Sequence, residues 1–353
     1  MTRLGISPAP GIGSPARAPS GLRAPPGRVA LGLLVLGLLA LAMGAACSKG
    51  ARFTEPQQLG GKTVTAALLG EGYAVYMHYC YACHGEKGDG WGPAAPTMRP
   101  APRDFRTGMF KFAGVLAGGL PNDADLERLL ERGLAGTPML PWDLGPRQRR
   151  AVVAFIKTFS PRWRDEVPGE PIVADGPDPW VGKKAEAIAH GETLYHLSGA
   201  KTDPQSGELE AVYPGCNVCH PSYLDPAALA VLSQKVLGTP ALDRENLARP
   251  MLKESSYALG EVALSILPPD FLFHPVKNGD SPADLFRTIA AGVGGTAMVG
   301  WKGTIKDDDL WALAHYVHSL LEKRDTLAAI ELKRRLLMRP PLEPKKKGAP
   351  GSN

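Results

Sequence analysis

Most of the cysteine in this chain lies in two short motifs that could bind a metal cofactor covalently. Four of its five cysteines occur in two C-x-x-C-H pentapeptides. Cysteines three positions apart are about one helical turn from each other, so their thiols can form thioethers with the two vinyl groups of one porphyrin. The next histidine can then bind the iron from the proximal side. The motifs predict two covalently bound haem c groups, attached through Cys80, Cys83, Cys216 and Cys219 and ligated by His84 and His220.

Zinc binding and dithiol redox chemistry are the alternative uses of paired cysteines. A structural zinc site combines two such pairs at short spacing, but 132 residues separate Cys83 from Cys216, and a histidine follows each pair directly. A thioredoxin-like C-x-x-C lies in a strand–helix unit, and no β-rich run precedes either pair. The haem interpretation is therefore favoured over both.

Two methionines occupy equivalent places downstream of the motifs. Met139 and Met298 each lie in a glycine-containing turn after a helical segment, with a tryptophan three residues later. A neutral thioether is a soft ligand that favours ferrous iron and raises the reduction potential of a haem. We expect these side chains to be the second axial ligands, with ordinary core packing as the alternative role.

Other histidines provide competing ligands. His274, beside two phenylalanines, is the main competitor for the second iron, although a histidine in this setting is more often structural. His315 and His318 lie three apart on a predicted helix, where a metal pair is an alternative. His78 and His196 flank the predicted N-terminal helices, and we interpret them as surface or supporting residues.

The order of elements repeats along the chain. In each half, a helix leads towards the haem motif, a loop rich in proline or glycine follows, another helix precedes the methionine turn, and a final helix closes the half. The distance from Leu126 to Met139 is 13 residues, and so is the distance from Leu285 to Met298. Two equivalent domains are the simplest account of this repetition.

Both halves resemble class I c-type cytochromes, over residues 66–160 and 185–321, and the whole is similar to exported or lipoprotein cytochromes of bacteria. The resemblance implies a mainly α fold of two cytochrome c-like domains in tandem, each with a few helices and long loops around one covalent haem. It also implies that the first and last helices of each domain cross at a glycine and that a tryptophan lies near the haem. The residues concerned are Gly72, Phe155 and Trp142 in the first domain and Gly191, Tyr316 and Trp301 in the second.

The sequence divides accordingly, with a longer second domain because 77 residues separate its motif histidine from its methionine, against 54 in the first. The extra length lies in residues 221–297. The predicted divisions are an export segment at 1–47, a tether at 48–65, a first domain at 66–165, a proline-rich linker at 166–184, a second domain at 185–321 and a basic C-terminal tail at 322–353.

The N-terminal segment has the order of an export signal. Residues 1–28 hold four arginines and no acidic residue, and 18 apolar residues then precede Cys47. This order resembles a bacterial lipoprotein signal, in which the cysteine is lipidated, although Gly44 replaces the usual leucine-like residue. An uncleaved membrane anchor and free secretion are the alternatives. All three place the folded part at the periplasmic face or cell envelope of a bacterium, where haem c is attached.

The charge distribution argues against nucleic-acid binding. The formal net charge is +5, of which residues 1–46 contribute +4 and residues 322–353 contribute +5, so the body between them is slightly acidic. The basic tail resembles a helical extension that ends in three lysines at 345–347. We interpret it as solvated, with contact to anionic lipid or an acidic partner as the alternative.

A haem with both axial positions filled offers no open site to a substrate. We therefore expect a one-electron carrier rather than an enzyme, with a respiratory complex, dehydrogenase or oxidase as redox partners and the membrane as an anchor. No small-molecule substrate and no nucleic acid are expected. Two alternatives remain: a di-haem peroxidase-like enzyme, in which one distal site opens, and an electron-transfer subunit of a larger oxidoreductase.

Overall fold

Short helices joined by long irregular segments make up most of this glycine- and proline-rich chain. The computed structural model describes residues 52–203, 205–239, 253–259 and 262–338. The predicted export segment with Cys47, and the lysines at 345–347, lie outside the described residues. Within the described ranges, no helix is long and apolar enough to cross a membrane.

The described elements are helices and three two-stranded antiparallel sheets. The helices are α1 (Ala66–Tyr79), α2 (Tyr81–His84), α3 (Asp123–Arg132), α4 (Pro146–Ile156), α5 (Arg162–Asp165), α6 (Lys184–His196), α7 (Pro226–Leu237), α8 (Pro282–Ala291), α9 (Asp307–Leu321) and α10 (Leu327–Leu337). Single 3₁₀ turns occur at Ala95–Thr97, Lys157–Phe159 and Cys216–Val218. The strands are β1 (Gln57–Leu59), β2 (Lys62–Val64), β3 (Ser198–Thr202), β4 (Leu209–Pro214), β5 (Lys253–Leu259) and β6 (Val262–Ile266).

Side chains in the sequence mark where the principal helices begin. The hydroxyl of Thr65 accepts a hydrogen bond from the N–H of Leu68 and caps α1. The hydroxyl of Ser281 caps α8 in the same way through the N–H of Asp284. Helix α9 has three aspartates in its first turn, where negative charge complements the helix dipole.

Two separate hydrophobic cores divide the described residues into lobes. We call residues 53–165 the N-terminal lobe and residues 184–338 the C-terminal lobe. Tyr76 and Phe155 are buried in the core of the N-terminal lobe, and Tyr195 is buried in that of the C-terminal lobe. The sheets are short and lie outside these helical cores, so the fold is mainly α.

In each lobe, the first long helix crosses a later helix at a glycine. A Cβ atom added at Gly72 of α1 would overlap the backbone of α4 and lie 2.7 Å from the Cβ of Phe155. A Cβ atom added at Gly191 of α6 would overlap the backbone of α9 and lie 2.7 Å from the Cβ of Tyr316. These are the two crossings that the resemblance implied, and both are confirmed.

The predicted tether at 48–65 is wrong for its second half. Strands β1 and β2 form a hairpin whose Leu59 is fully buried, and the N–H of Gly60 donates to the carbonyl of Trp163. Gly60 and Gly61 both adopt positive φ, which makes the tight turn accessible. The N-terminal lobe therefore begins before Gln57, because an apolar residue in this segment completes its core.

The segments that lengthen the C-terminal lobe contain regular structure. The stretch between α6 and Cys216 forms the β3–β4 hairpin. Within 221–297, α7 packs Leu229 against Leu197 in a small cluster of its own, and β5 pairs with β6 further on.

The connecting segment 166–183 is irregular and contacts both lobes. The N–H of Ile172 donates to the carbonyl of Gly114 in the N-terminal lobe at 2.8 Å. The indole N–H of Trp180 donates to the carbonyl of Asp308 in α9 at 2.9 Å. The segment was predicted as a linker at 166–184, and Lys184 is the first residue of α6.

The predicted basic tail begins with a packed helix. Helix α10 buries Ala329 and Leu336, and its Lys333 ammonium lies 2.6 Å from the carboxylate of Asp270. The interpretation of this region as solvated is wrong for residues 327–337, because one face of the helix is apolar and packs on the C-terminal lobe.

The methionine-bearing turn of each lobe contacts the other lobe. The N–H of Ala135 donates to the carbonyl of Lys277 at 3.2 Å, and the N–H of Gly294 donates to the carbonyl of Lys111 at 3.0 Å. Ala135 and Gly294 each lie four residues before their methionine, so the two contacts are equivalent.

Candidate haem sites

Each C-x-x-C-H motif forms one tight turn of backbone. The N–H of His84 donates to the carbonyl of Cys80 at 2.9 Å, and the N–H of His220 donates to the carbonyl of Cys216 at the same distance. The turn brings the two cysteines of a motif to one side and presents the histidine beside them. This is the local geometry that attachment to two neighbouring vinyl groups requires.

A backbone carbonyl orients each motif histidine. The Nδ1 of His84 lies 3.0 Å from the carbonyl oxygen of Arg103, and the Nδ1 of His220 lies 3.1 Å from that of Pro269. A carbonyl can only accept, so Nδ1 carries the proton and Nε2 keeps its lone pair for a metal. Burial lowers the pKa of His84 to about 4 and also lowers that of His220. Both rings are therefore neutral imidazoles, the form that binds iron.

A phenylalanine stacks on each of these imidazoles. The ring centroids of His84 and Phe105 are 4.5 Å apart, and those of His220 and Phe271 are 5.0 Å apart. The sequence interpretation missed both phenylalanines and both carbonyl acceptors. A signal was available, since an Asp-Phe dipeptide directly follows each acceptor residue in the loop after each motif.

A tyrosine from the first helix of each lobe fixes the residue after the histidine. The hydroxyl of Tyr76 donates to the carbonyl of Gly85 at 2.6 Å, and that of Tyr195 donates to the carbonyl of Pro221 at 2.9 Å. Burial raises the pKa of both tyrosines, so each remains a donor at neutral pH. The helix crossing thus positions the histidine through one hydrogen bond.

The motif thiols lack the lowered pKa that a dithiol redox site needs. The four motif cysteines form no disulfide with one another. Burial raises the pKa of Cys80 and of Cys216 to about 12 each. A reactive dithiol needs a lowered thiol pKa. Among the described residues, no group of three or more histidine, cysteine or acidic side chains converges as a metal-ion site, which also disfavours the zinc interpretation.

The two methionine turns have the same hydrogen bonds. The hydroxyl of Thr137 donates to the carbonyl of Leu134 at 2.8 Å and accepts from the N–H of Met139 at 3.1 Å. The hydroxyl of Thr296 donates to the carbonyl of Val293 at 2.7 Å and accepts from the N–H of the second methionine at 3.1 Å. These threonines were not singled out from the sequence.

A glycine allows each methionine turn to fold back on its helix. Gly133 and Gly292 both have positive φ. A Cβ atom at Gly133 would lie 2.6 Å from the carbonyl oxygen of Met139, and one at Gly292 would lie 2.7 Å from that of Met298. Only glycine accepts this combination of dihedral angle and close contact.

In the N-terminal lobe, the predicted ligands and attachment residues share one cleft. Its lining includes Cys80, Cys83, His84 and Met139, together with the predicted Trp142. The remaining lining is mostly aliphatic and aromatic, so it fits the apolar body of a porphyrin. In the C-terminal lobe, the residues in equivalent positions, Cys216, Met298 and Trp301, pack at the edge of the core.

The competing histidines have other partners. His274 is exposed, and its Nδ1 accepts from the N–H of Asp270 at 3.0 Å. His315 contacts the carboxylate of Asp178, whereas His318 contacts a backbone carbonyl, so these two do not form a metal pair. His196, expected at the surface or in support, is only 3% exposed and bridges two backbone groups in the core.

Comparisons with known proteins agree with this geometry. The family model described as cytochrome C oxidase, cbb3-type, subunit III matches residues 67–156. The chain is also similar to a solved chain of the reducing HAO-like protein complex Kustc0457/Kustc0458 of Kuenenia stuttgartiensis, with 28% sequence identity and a TM-score of 0.52 over 71% of this chain and 96% of that chain. No curated protein matches.

The matched region and its fold define a c-type cytochrome domain in the N-terminal lobe. Such a domain implies a covalently bound haem c and points to electron transfer. The residues built around the cleft fit that cofactor in shape, in polarity and in the protonation of its histidine.

Proposed function

We propose that this chain is a di-haem c-type cytochrome that relays single electrons between redox proteins outside the cytoplasm. The family match supports a haem in the N-terminal lobe. The observation that carries the proposal of a second haem is the repetition of four contacts in the C-terminal lobe: the motif turn, the Nδ1 hydrogen bond, the stacked phenylalanine and the threonine-held methionine turn.

The residues have distinct roles in this proposal. A bound haem c supplies a reversible one-electron change between ferric and ferrous iron. The four motif cysteines would hold the two haems. The Nε2 atoms of the two motif histidines and the thioethers of Met139 and Met298 would be the ligands offered to iron. The apolar lining of the cleft excludes water, which favours the ferrous state because that state has less net charge on iron.

The chain is also a candidate electron-transfer subunit of a larger oxidoreductase. The similar solved chain belongs to a protein complex, and 96% of that chain is covered, which supports an assembly role. A peroxidase-like function has less support, because the two methionine turns carry the same hydrogen bonds and so do not distinguish an open site from a closed one. The basic segment and the 18 apolar residues before Cys47 support lipidation at that cysteine and tethering at the periplasmic face.

Haem counting on the purified full-length chain tests the proposal. We expect two haems per chain by the pyridine haemochrome assay, and one in the variant with Cys216 and Cys219 both changed to alanine. Both haems should titrate reversibly, show the ferric methionine–sulfur absorption band and remain inert to hydrogen peroxide. A single haem in the unaltered chain would overturn the di-haem proposal, and peroxide turnover at one low-potential haem would favour the peroxidase alternative.

Substitution of one axial methionine tests the ligand assignment. Met139→His should lower the potential of one haem by on the order of 0.1 V, because imidazole stabilises ferric iron better than a thioether does. Met298→His should do the same to the other haem. An unchanged pair of potentials in either variant would refute the corresponding ligand.

A further inference from the structure

The cleft in the N-terminal lobe is lined by cations and by no carboxylate. None of the described residues that line it is aspartate or glutamate, and its lysine and arginine residues are Arg103, Lys111 and Lys277. Lys277 belongs to the C-terminal lobe. One positive charge at the first haem site therefore comes from the other half of the molecule.

The two lysines occupy equivalent positions in the two lobes. Each lies six residues after the phenylalanine that stacks on a motif histidine. Their carbonyls accept the two reciprocal bonds between the lobes, from Gly294 to Lys111 at 3.0 Å and from Ala135 to Lys277 at 3.2 Å. The backbone of Lys277 is therefore held against the turn that carries Met139.

The lining of this cleft suits an anionic ligand with an apolar body. Burial, with Arg103 and Lys277 nearby, lowers the pKa of Lys111 to about 8. A carboxylate bound in the same space would favour the charged form of these side chains. A ligand with an apolar body and two carboxylates satisfies both parts of the lining, and haem has this composition.

We propose that Lys277, from the C-terminal lobe, binds a carboxylate of the haem held in the N-terminal cleft, so that lobe docking and the potential of that haem are linked. This inference rests on the proposed function. A cation at this place favours the reduced haem, because ferrous iron carries one positive charge fewer than ferric iron. The second lobe thereby helps to set the potential of the first haem.

A charge-removing substitution in the full-length, haem-loaded chain tests this. In Lys277→Met we expect the ferric-to-ferrous ratio of the first haem, at a fixed ambient potential, to rise about fivefold. That change is about 40 mV, at 59 mV per tenfold for a one-electron couple. The first haem is identified as the one that responds to Met139→His. Its potential should be largely restored in Lys277→Arg, whereas the second haem should not change.

Lys235→Met is the matched control. Lys235 is exposed on α7 and does not line the cleft, so its loss removes the same charge without touching the site. Neither potential should move in this variant. If Lys277→Met loads both haems and leaves both potentials where they were, the inference is overturned and the di-haem proposal still holds. Fewer than two haems in the unaltered chain would overturn the proposed function instead.

Amine labelling gives a readout that needs no substitution at Lys277. With an acetylating reagent and mass spectrometry, Lys277 should react several-fold more slowly in the haem-loaded chain than in the chain with Cys80 and Cys83 both changed to alanine. Lys235 should react equally in both. Equal labelling of Lys277 in the two chains would count against carboxylate binding, even if Lys277→Met failed to fold.

Discussion

The two lobes build the same contacts to the motif histidine but support them differently. In the C-terminal lobe, Asp270 lies between the carbonyl acceptor and the stacked phenylalanine, and it pairs with Lys333 at 2.6 Å and accepts from Tyr223 at 3.1 Å. The equivalent Asp104 of the N-terminal lobe pairs with Arg106, two residues away in the same loop, at 2.7 Å. One support is long-range and buried, and the other is local and more exposed.

This difference shows which parts of the site are tied to its chemistry. The Nδ1 bond, the stacked ring and the methionine turn are the same in both lobes, because each acts directly on a group expected to face the haem. The support behind them differs with the segments that surround it. We therefore expect substitutions at the shared contacts to act equally in the two lobes, and those at the supports to act unequally.

The largest expected effect is at the glycine crossings, where the lobes should behave alike. Gly72→Ala and Gly191→Ala should each lower the free energy of unfolding by about 3 to 4 kcal/mol, because the new methyl group would overlap the backbone of the closing helix. Chemical denaturation with circular dichroism measures this.

Gly70→Ala provides the control for the crossings. Gly70 lies two residues away on the same helix, and nothing lies within 4 Å of a Cβ atom added there. It should leave stability unchanged or raise it by roughly 0.5 to 1 kcal/mol, the ordinary helix-propensity gain. Similar losses at Gly70 and Gly72 would mean that the helix itself, rather than the crossing, is sensitive.

The next prediction concerns a pH dependence of stability that the C-terminal lobe should have and the N-terminal lobe should lack at the equivalent position. Tyr76 and Tyr195 are equivalent, and the residue after each is Met77 in one lobe and the buried His196 in the other. Burial lowers the pKa of His196 from 6.5 to about 4. Below pH 6.5 the unfolded chain gains a proton that the folded chain does not, so this histidine contributes stability at neutral pH that is lost as the pH falls towards 4.

From pH 7 to pH 4.5, we expect His196 to account for a loss of roughly 2.5 kcal/mol in the free energy of unfolding. His196→Gln should remove that part of the pH dependence, because an amide can replace both backbone hydrogen bonds without titrating. Urea unfolding of both chains at the two pH values gives the comparison. If the free energy of unfolding falls by the same amount in both chains, the His196 ring is not kept neutral by the folded structure.

The elements that the sequence predicted best are those with a local cause. Helix α9, from Asp307 to Leu321, is the final helix of the second half that apolar periodicity predicted. The β1–β2 hairpin was missed because its strands have three residues each, and Leu59 is buried in the same core as Trp163, about a hundred positions later. No periodic pattern reports a contact of that kind.

In the candidate site too, some features can be predicted from the sequence and others require the fold. Cysteine and histidine spacing, and the equal distances to the methionines, are visible in the chain itself. The Asp-Phe dipeptide that contains Phe105 or Phe271 is visible too. Its role is not, because the loops before it differ in length and only folding places both rings against a histidine. The reciprocal bonds to Lys111 and Lys277 likewise require knowledge of how the lobes dock.

The third prediction compares the two ion pairs behind the histidine contacts, and the buried pair in the C-terminal lobe should contribute more to stability. Lys333→Met should cost about 2 kcal/mol, because it leaves the buried carboxylate of Asp270 without its cation. Arg106→Met in the N-terminal lobe should cost less than about 0.5 kcal/mol, since that arginine is about half exposed and its pair is screened. Lys184→Met is the surface control, because it makes the same lysine-to-methionine change at an exposed ion pair with Glu322. Equal losses at Lys333 and Arg106 would remove the distinction between the two supports.

The smallest effect returns to a contact that the lobes share. Thr137→Val and Thr296→Val remove the hydroxyl that bridges each methionine turn while keeping its shape, and each should cost about 1 kcal/mol. The lost bonds include one to the N–H of the methionine itself, so the methionine–sulfur band of the corresponding ferric haem should yield to added imidazole at several-fold lower concentration. Equal shifts in the two variants would support equivalent distal ligands. A response in Thr137→Val alone would mean that Met298 is held by the turn for packing and not for iron, and the second haem would then need a different distal arrangement.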